Sequence, residues 1–178
     1  MKKGLVLTRG MIILIVAMSV VIVAAVGVAF WALTAREQVV ITPDYAPPEE
    51  EKYAEQIQGD QGGKFESEEG GGAVAVEFTK SITVDLSDKK AALNFGNPSR
   101  SNQQMVLQIW VHDVCIAQSG ALKPGYKVST LDLLPGATKS FAGVGGYDGK
   151  LVILNYDEVT GEKAMVNIEF PLRIDVVE

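Results

Sequence analysis

The stretch "AMVNIEFPLRIDV", residues 164–176, decides the fold. Ala164, Val166, Ile168, Phe170, Leu172, Ile174 and Val176 share one parity, while Met165, Asn167, Glu169, Pro171, Arg173 and Asp175 take the other. A period of two is the pattern of a strand with one buried face. The pattern predicts one long strand, or two joined by a bend at Pro171. Proline lacks the N–H that a central ladder requires, which places it at an edge or where a strand changes sheets.

The same period extends backward. "SITVDL" (81–86) turns Ile82, Val84 and Leu86 to one side, and "AALNF" (91–95) does so with Ala91, Leu93 and Phe95. Further apolar runs at 104–111, 114–118, 126–133 and 151–156 are separated by "GNPSRSN", "HD", "KPG", "LLPGA", "GGYDG" and "DEVTGE". Seven to eight short strands with turn signals at such spacing predict an all-β domain over 73–178, an antiparallel immunoglobulin-like β-sandwich. No helical period long enough for a crossover follows residue 73, which argues against a parallel α/β sheet. "FAGVGGYDGK" lacks the strand–turn–helix context of a dinucleotide fingerprint and reads as a glycine-rich loop.

"QSGALKPGYKVSTLDL", "GGYDGKLVILNYDEVTGE" and the final alternating strand resemble the single-pass, membrane-anchored β-sandwich ectodomains of Gram-positive bacteria. The resemblance covers about residues 80–178. It implies a fold and a location outside the membrane, and it carries no catalytic residue.

Gly10 to Thr34 form 25 consecutive uncharged residues. A helix crosses the hydrocarbon core in about 20. The run predicts a transmembrane helix over 11–34. Lys2, Lys3 and Arg9 precede it, and Arg36 is followed mainly by acids, so 1–10 is expected in the cytoplasm and the rest outside: a type II single-pass protein of the cell membrane. Two alternatives remain open. Gly27-Val28-Ala29 offers a signal-peptidase site, and cleavage after Gly10 resembles a pilin leader, although Ile15 stands where pilins carry Glu.

Residues 35–72 read as an acidic, Pro/Gly-rich linker: 37–72 holds 10 acidic residues against 2 basic ones. A flexible chain of that length spans about 35 Å. "PPEEEKYAEQI" within it suits one or two helical turns. The remaining 73–178 is nearly neutral, with 12 acids and 10 bases, so a basic surface for nucleic acid is absent.

Few groups suggest chemistry. Single Cys115 and single His112 cannot assemble an N/S zinc site, and neither a metal nor another cofactor is expected. Cys115 reads as a buried small hydrophobe and His112 as a turn residue beside Asp113. Asp148, Asp157 and Glu158 offer oxygens to calcium without matching an EF-hand, and Asp148 with Glu158 is the pair a glycan hydrolase would use. "LLPGAT" departs from the sortase pattern LPxTG, with Thr138 in fifth place and no apolar tail following.

The strand 104–111 holds the candidate binding residues. Met105, Leu107, Ile109 and Val111 face inward, leaving Gln104, Val106, Gln108 and Trp110 on the other face. An outward Trp flanked by amides suits a sugar ring or a protein partner, with Tyr126, Tyr147 and Tyr156 as possible extensions of the platform. The expected function is a non-enzymatic binding or scaffolding module of the bacterial envelope, spanning the membrane once and engaging an envelope protein or wall glycan. The alternatives are a subunit of a pilus-like, conjugation or secretion assembly, and an envelope glycan hydrolase.

Overall fold

The computed structural model describes residues 10, 11, 14, 18, 19, 21–27, 43–60, 62–66 and 72–178. The chain divides into two compact units, Met1–Gln38 and Val39–Glu178. In the first, the described residues are helical. Among the described residues no helix is long and apolar enough to cross a membrane. The span expected at 11–34 lies more than half outside them, and residues 1–9 of the expected cytoplasmic tail lie wholly outside them.

The second unit is mostly β. Its strands are β1 (Ala54–Gln56), β2 (Glu77–Phe78), β3 (Ser81–Asp85), β4 (Lys90–Asn97), β5 (Gln103–Val111), β6 (Val114–Gln118), β7 (Tyr126–Asp132), β8 (Gly145–Asp157) and β9 (Ile168–Val177), with a 3₁₀ turn at Ala137–Ser140. They form one continuous sheet in the order β1-β7-β4-β3-β9-β8-β5-β6, with β2 beside β4. The sheet curls until β6 meets the chain beyond β7, where Ala117 bridges Leu133 and the Leu134 N–H donates to the Ile116 carbonyl at 2.8 Å.

The concave side closes over the main core. Val84, Ala91, Phe95, Leu107, Ile109, Ile116, Val128, Ile153 and Ile174 are fully enclosed there. Burying each of the large aliphatic side chains contributes roughly 1.5–3 kcal/mol. Period-two alternation thus does what it promised for 81–86, 91–95 and the odd residues of 105–111.

Four expectations need correction. The sheet is continuous rather than split in two, and one of its pairings, β3 with β9, is parallel. Strands joined in parallel need a long connection, and here residues 86–167 supply it. The final strand begins at Ile168, not Ala164; Met165 and Val166 are exposed. Pro171 lies opposite Lys150 of β8, two residues before β3 begins to pair with β9 at Arg173, so no ladder bond is lost on that side. "GGYDGK" is not a loop but the start of the 13-residue β8. Gly149 is required within it, because a Cβ there would fall 2.5 Å from the Trp110 carbonyl oxygen.

The largest correction concerns the linker. Residues 43–57 fold onto the β domain as an extended strap, without a helical turn. The Ala46 N–H donates to the Gly161 carbonyl and the Lys163 N–H to the Asp44 carbonyl, both at 2.8 Å, while Ala121 exchanges bonds with Glu49 and Glu51 at 2.9 and 3.0 Å. β1 then pairs with β7. Low apolar content means a segment cannot build its own core; it does not stop that segment from pairing its backbone with an existing sheet.

Candidate functional site

β5 carries the site because its two faces do different work. The convex face holds a second small core of Val106, Val152, Leu154 and Tyr156, packed by Ala46 of the strap at one end and by Trp110 at the other. Trp110 is half-buried. Its Nε1–H donates to Gln108 Oε1 at 3.1 Å, and Gln108 Nε2 donates to Gln118 Oε1 at 2.9 Å. The indole is therefore aimed by a chain of two amides, and Gln108, only 2% exposed, acts chiefly as its support.

Beside the indole lies a shallow cleft of about 210 Å³ lined by Gln108, Trp110, Val152, Asp113, Lys150, Asn167 and Glu169. Lys150 faces Trp110 across the β5–β8 ladder. Its ammonium stands 6.0 Å from the ring centroid and 3.1 Å from Glu169 Oε2. The cleft thus offers an aromatic wall, an ion pair and an amide within one shallow opening. Such a set can stack a sugar or aliphatic surface and satisfy its polar groups.

The other candidates are elsewhere. Gln104 lies opposite Tyr156, six residues along β5 from Trp110, which is about 20 Å. Tyr156 is wholly buried, donates to the Pro43 carbonyl at 3.2 Å, and has its hydroxyl pKa pushed up by burial. Tyr147 and Tyr126 pack on the main core, Tyr147 against Phe141 at 5.1 Å. No tyrosine platform forms around Trp110. Lys150, Val152, Asn167 and Glu169 are the cleft residues that the sequence did not single out, since they arrive from β8, from β9 and from the approach to it.

Asp148 and Glu158 stand near opposite ends of β8, ten residues apart, or about 33 Å. Glycosidase carboxylates lie within about 10 Å of each other, so this pair cannot act together on one bond. Asp148 instead meets Arg173, and Glu158 pairs with Lys64. Asp157 accepts amide hydrogens from Thr160 and Val159, and these bonds hold its carboxyl below the usual range. His112 takes the positive φ of the β5–β6 turn at 53°. The Cys115 thiol is pushed up to about 11 by desolvation, which leaves it unreactive. Among the described residues no group of three or more His, Cys, Asp or Glu is placed to hold a metal.

A second opening of about 230 Å³ lies between the strap and the ends of β6 and β7. Its polar groups fasten the strap. The buried Glu51 carboxylate accepts the Gly120 N–H at 2.8 Å and the Tyr53 N–H at 3.0 Å. Lys52 pairs with Asp132, which also accepts from the Tyr53 hydroxyl at 3.0 Å; the Lys52 bond draws the Asp132 pKa down and raises its own.

No family model and no curated protein matches the chain. Among solved structures it is similar to the periplasmic chaperone SfaE at 10% identity and a TM-score of 0.36, covering 58% of this chain and 56% of that one. It is also similar to AggA, the major subunit of aggregative adherence fimbriae type I from Escherichia coli, at 12% identity and a TM-score of 0.32, covering 60% of this chain and 96% of that one. The chain thus spans little more than half of the chaperone's length.

Proposed function

We propose that this chain is a non-catalytic binding or scaffolding module of the bacterial cell envelope, anchored by a single N-terminal span with its β domain outside. The anchor rests on the 25 uncharged residues from Gly10 to Thr34 and the basic residues before them. On this reading the curled sheet is an immunoglobulin-like sandwich: β1-β7-β4-β3 is one layer, β9-β8-β5-β6 the other, and the parallel β3–β9 pair is their seam.

One observation carries the binding role. Trp110 is held by Gln108 and Gln118 with part of its ring open to a cleft near the β5–β6 turn. The strap joins the domain at the other end of β5 and β8, where Gln103 pairs with Asp157. Its partner is an envelope protein or a wall glycan.

A subunit of a pilus-like, conjugation or secretion assembly is the second reading. It is favoured by β6, whose outer edge makes backbone pairings only at Ile116 and Ala117 among the described residues, and whose Val114 is 47% exposed. Unpaired strand edges accept strands from neighbouring molecules.

The test is cosedimentation of the full chain with purified wall polymer, with release of reducing ends measured in the same tubes, and a parallel capture of envelope proteins. We expect retention without turnover, or a specific protein, lost at least tenfold in Trp110→Ala. Turnover, or full retention by that variant, contradicts the proposal.

A further inference from the structure

We propose that the Trp110 cleft takes a protonated amino sugar within a wall glycan, using the indole face and the Asp113 carboxylate as its cation-binding groups. This deepens the binding role argued above and rests on it.

Charge is the first observation. The acids lining the cleft are Asp113 and Glu169 and the base is Lys150, which leaves one negative charge in excess. Lys150 is already engaged by Glu169, whose Oε2 lies 3.1 Å away. Asp113 is exposed, and its carboxylate has no hydrogen-bond or ion-pair partner among the described residues. The β5–β6 turn does not depend on that charge, because its positive φ, 53°, falls on His112. An unpaired carboxylate on the rim of a cleft favours a cation and disfavours an anion.

The ring is the second. Lys150 Nζ stands 6.0 Å from the Trp110 centroid, at the outer limit of a cation–π contact. A ligand ammonium that comes closer to the face gains more of that attraction than Lys150 does.

Size selects the carrier. The cleft's volume of about 210 Å³ is below the ~300–1,000 Å³ of sites that enclose a drug-sized molecule. It therefore holds one ring and leaves the neighbouring units on open surface, as suits a polymer. Trp110 offers a flat wall to the C–H face of a sugar, and the Asn167 amide on the same lining meets its hydroxyls. An amino sugar combines ring, hydroxyls and ammonium in one unit.

The full chain in detergent micelles is titrated calorimetrically with a glucosamine tetramer, with its fully N-acetylated counterpart and with the amide of Nα-acetyl-lysine, all below the pKa of the sugar amine. We expect the free-amine tetramer to bind at least tenfold tighter than the acetylated one. Asp113→Asn should weaken it at least fivefold, and since Asp113 makes no side-chain bond, this variant tests the charge without disturbing the fold. Lys150→Met should tighten it at least threefold, because it removes a competing cation and releases Glu169. Equal binding of the acetylated tetramer, weaker binding by Lys150→Met, or no binding of either tetramer overturns the amino sugar. Amine binding that survives Asp113→Asn is the general attraction of an acidic chain for a cation and overturns it too. Lysine amide bound as tightly as the tetramer assigns the ammonium to a protein and overturns the glycan. Trp110→Ala separates the two readings. An acetylated tetramer that binds equally well and is lost in that variant sinks the amine and keeps the cleft, whereas binding undiminished by the variant sinks both.

Discussion

At the residue scale the molecule turns on how Trp110 is held. Its outward parity was legible from "QMVLQIWV", because alternation fixes which side of a strand a residue occupies. Its environment was not: whether that side is open depends on what the strap and the approach to β9 lay over it, and both come from distant sequence. The result is intermediate between a free platform and a core residue. Trp110→Ala should lower stability by about 1–2 kcal/mol, less than the ~3–5 kcal/mol of a fully enclosed aromatic. Part of that loss is Gln108 Oε1, left buried without its donor. Trp110→Phe, which keeps the packing and loses the bond, should melt between the two. An alanine variant as stable as the parent would show that the indole packs on nothing.

A second residue-scale prediction concerns acid. Asp157, Asp60 and Asp85 all have carboxyl pKa values below the ordinary range, chiefly because backbone N–H groups of Thr160, Ser99 and Asp88 respectively bond to them. A folded value below the unfolded one adds stability above about pH 4, and this is lost as pH falls through the folded value. Thermal midpoints should therefore drop below pH 4. Asp157→Asn should flatten the drop and lower the midpoint at pH 7. An unchanged acid slope in that variant would show that the turn does not use its charge.

Strands and their inward faces were largely legible at the element scale, because each is a local periodic signal. Val84, Phe95, Ile109 and Ile174 are buried as alternation requires. The strap was not legible, and the reason is physical. Glu51 is a charged residue in an acidic run, and only the Gly120 and Tyr53 amides, one of them 69 residues away, make its burial affordable. One signal did point toward extension: Ala46 and Pro47 each precede a proline, which disfavours the helical region. The strap can be tested through Gly120, where a Cβ would stand 2.8 Å from the Glu50 carbonyl carbon and 2.9 Å from the Glu49 oxygen. Gly120→Ala should cost about 1–3 kcal/mol and speed amide exchange at Glu51 and Ala121. Exchange at those two amides unchanged from the parent would mean the strap does not sit against Gly120.

At the scale of the whole molecule, the strap gives the β domain two distinct ends. Pro43 and the turn after Asp157 mark one end and the His112 turn marks the other, with the Trp110 cleft reaching from Asp113 back to Asn167. On the proposed reading the domain acts by presenting a surface, and that surface is the cleft. The most direct measurement places a photo-crosslinking amino acid at Asn167, on the cleft rim, or at Glu158, about 13 Å away along the sheet, in the full chain in native membranes. Crosslinks to one envelope protein or wall polymer from position 167, absent from position 158 and lost when Trp110→Ala is combined with the probe, are the predicted result. Equal crosslinking from both positions, or crosslinks at 167 that survive the loss of the indole, would contradict the claim that the Trp110 cleft is where this protein binds.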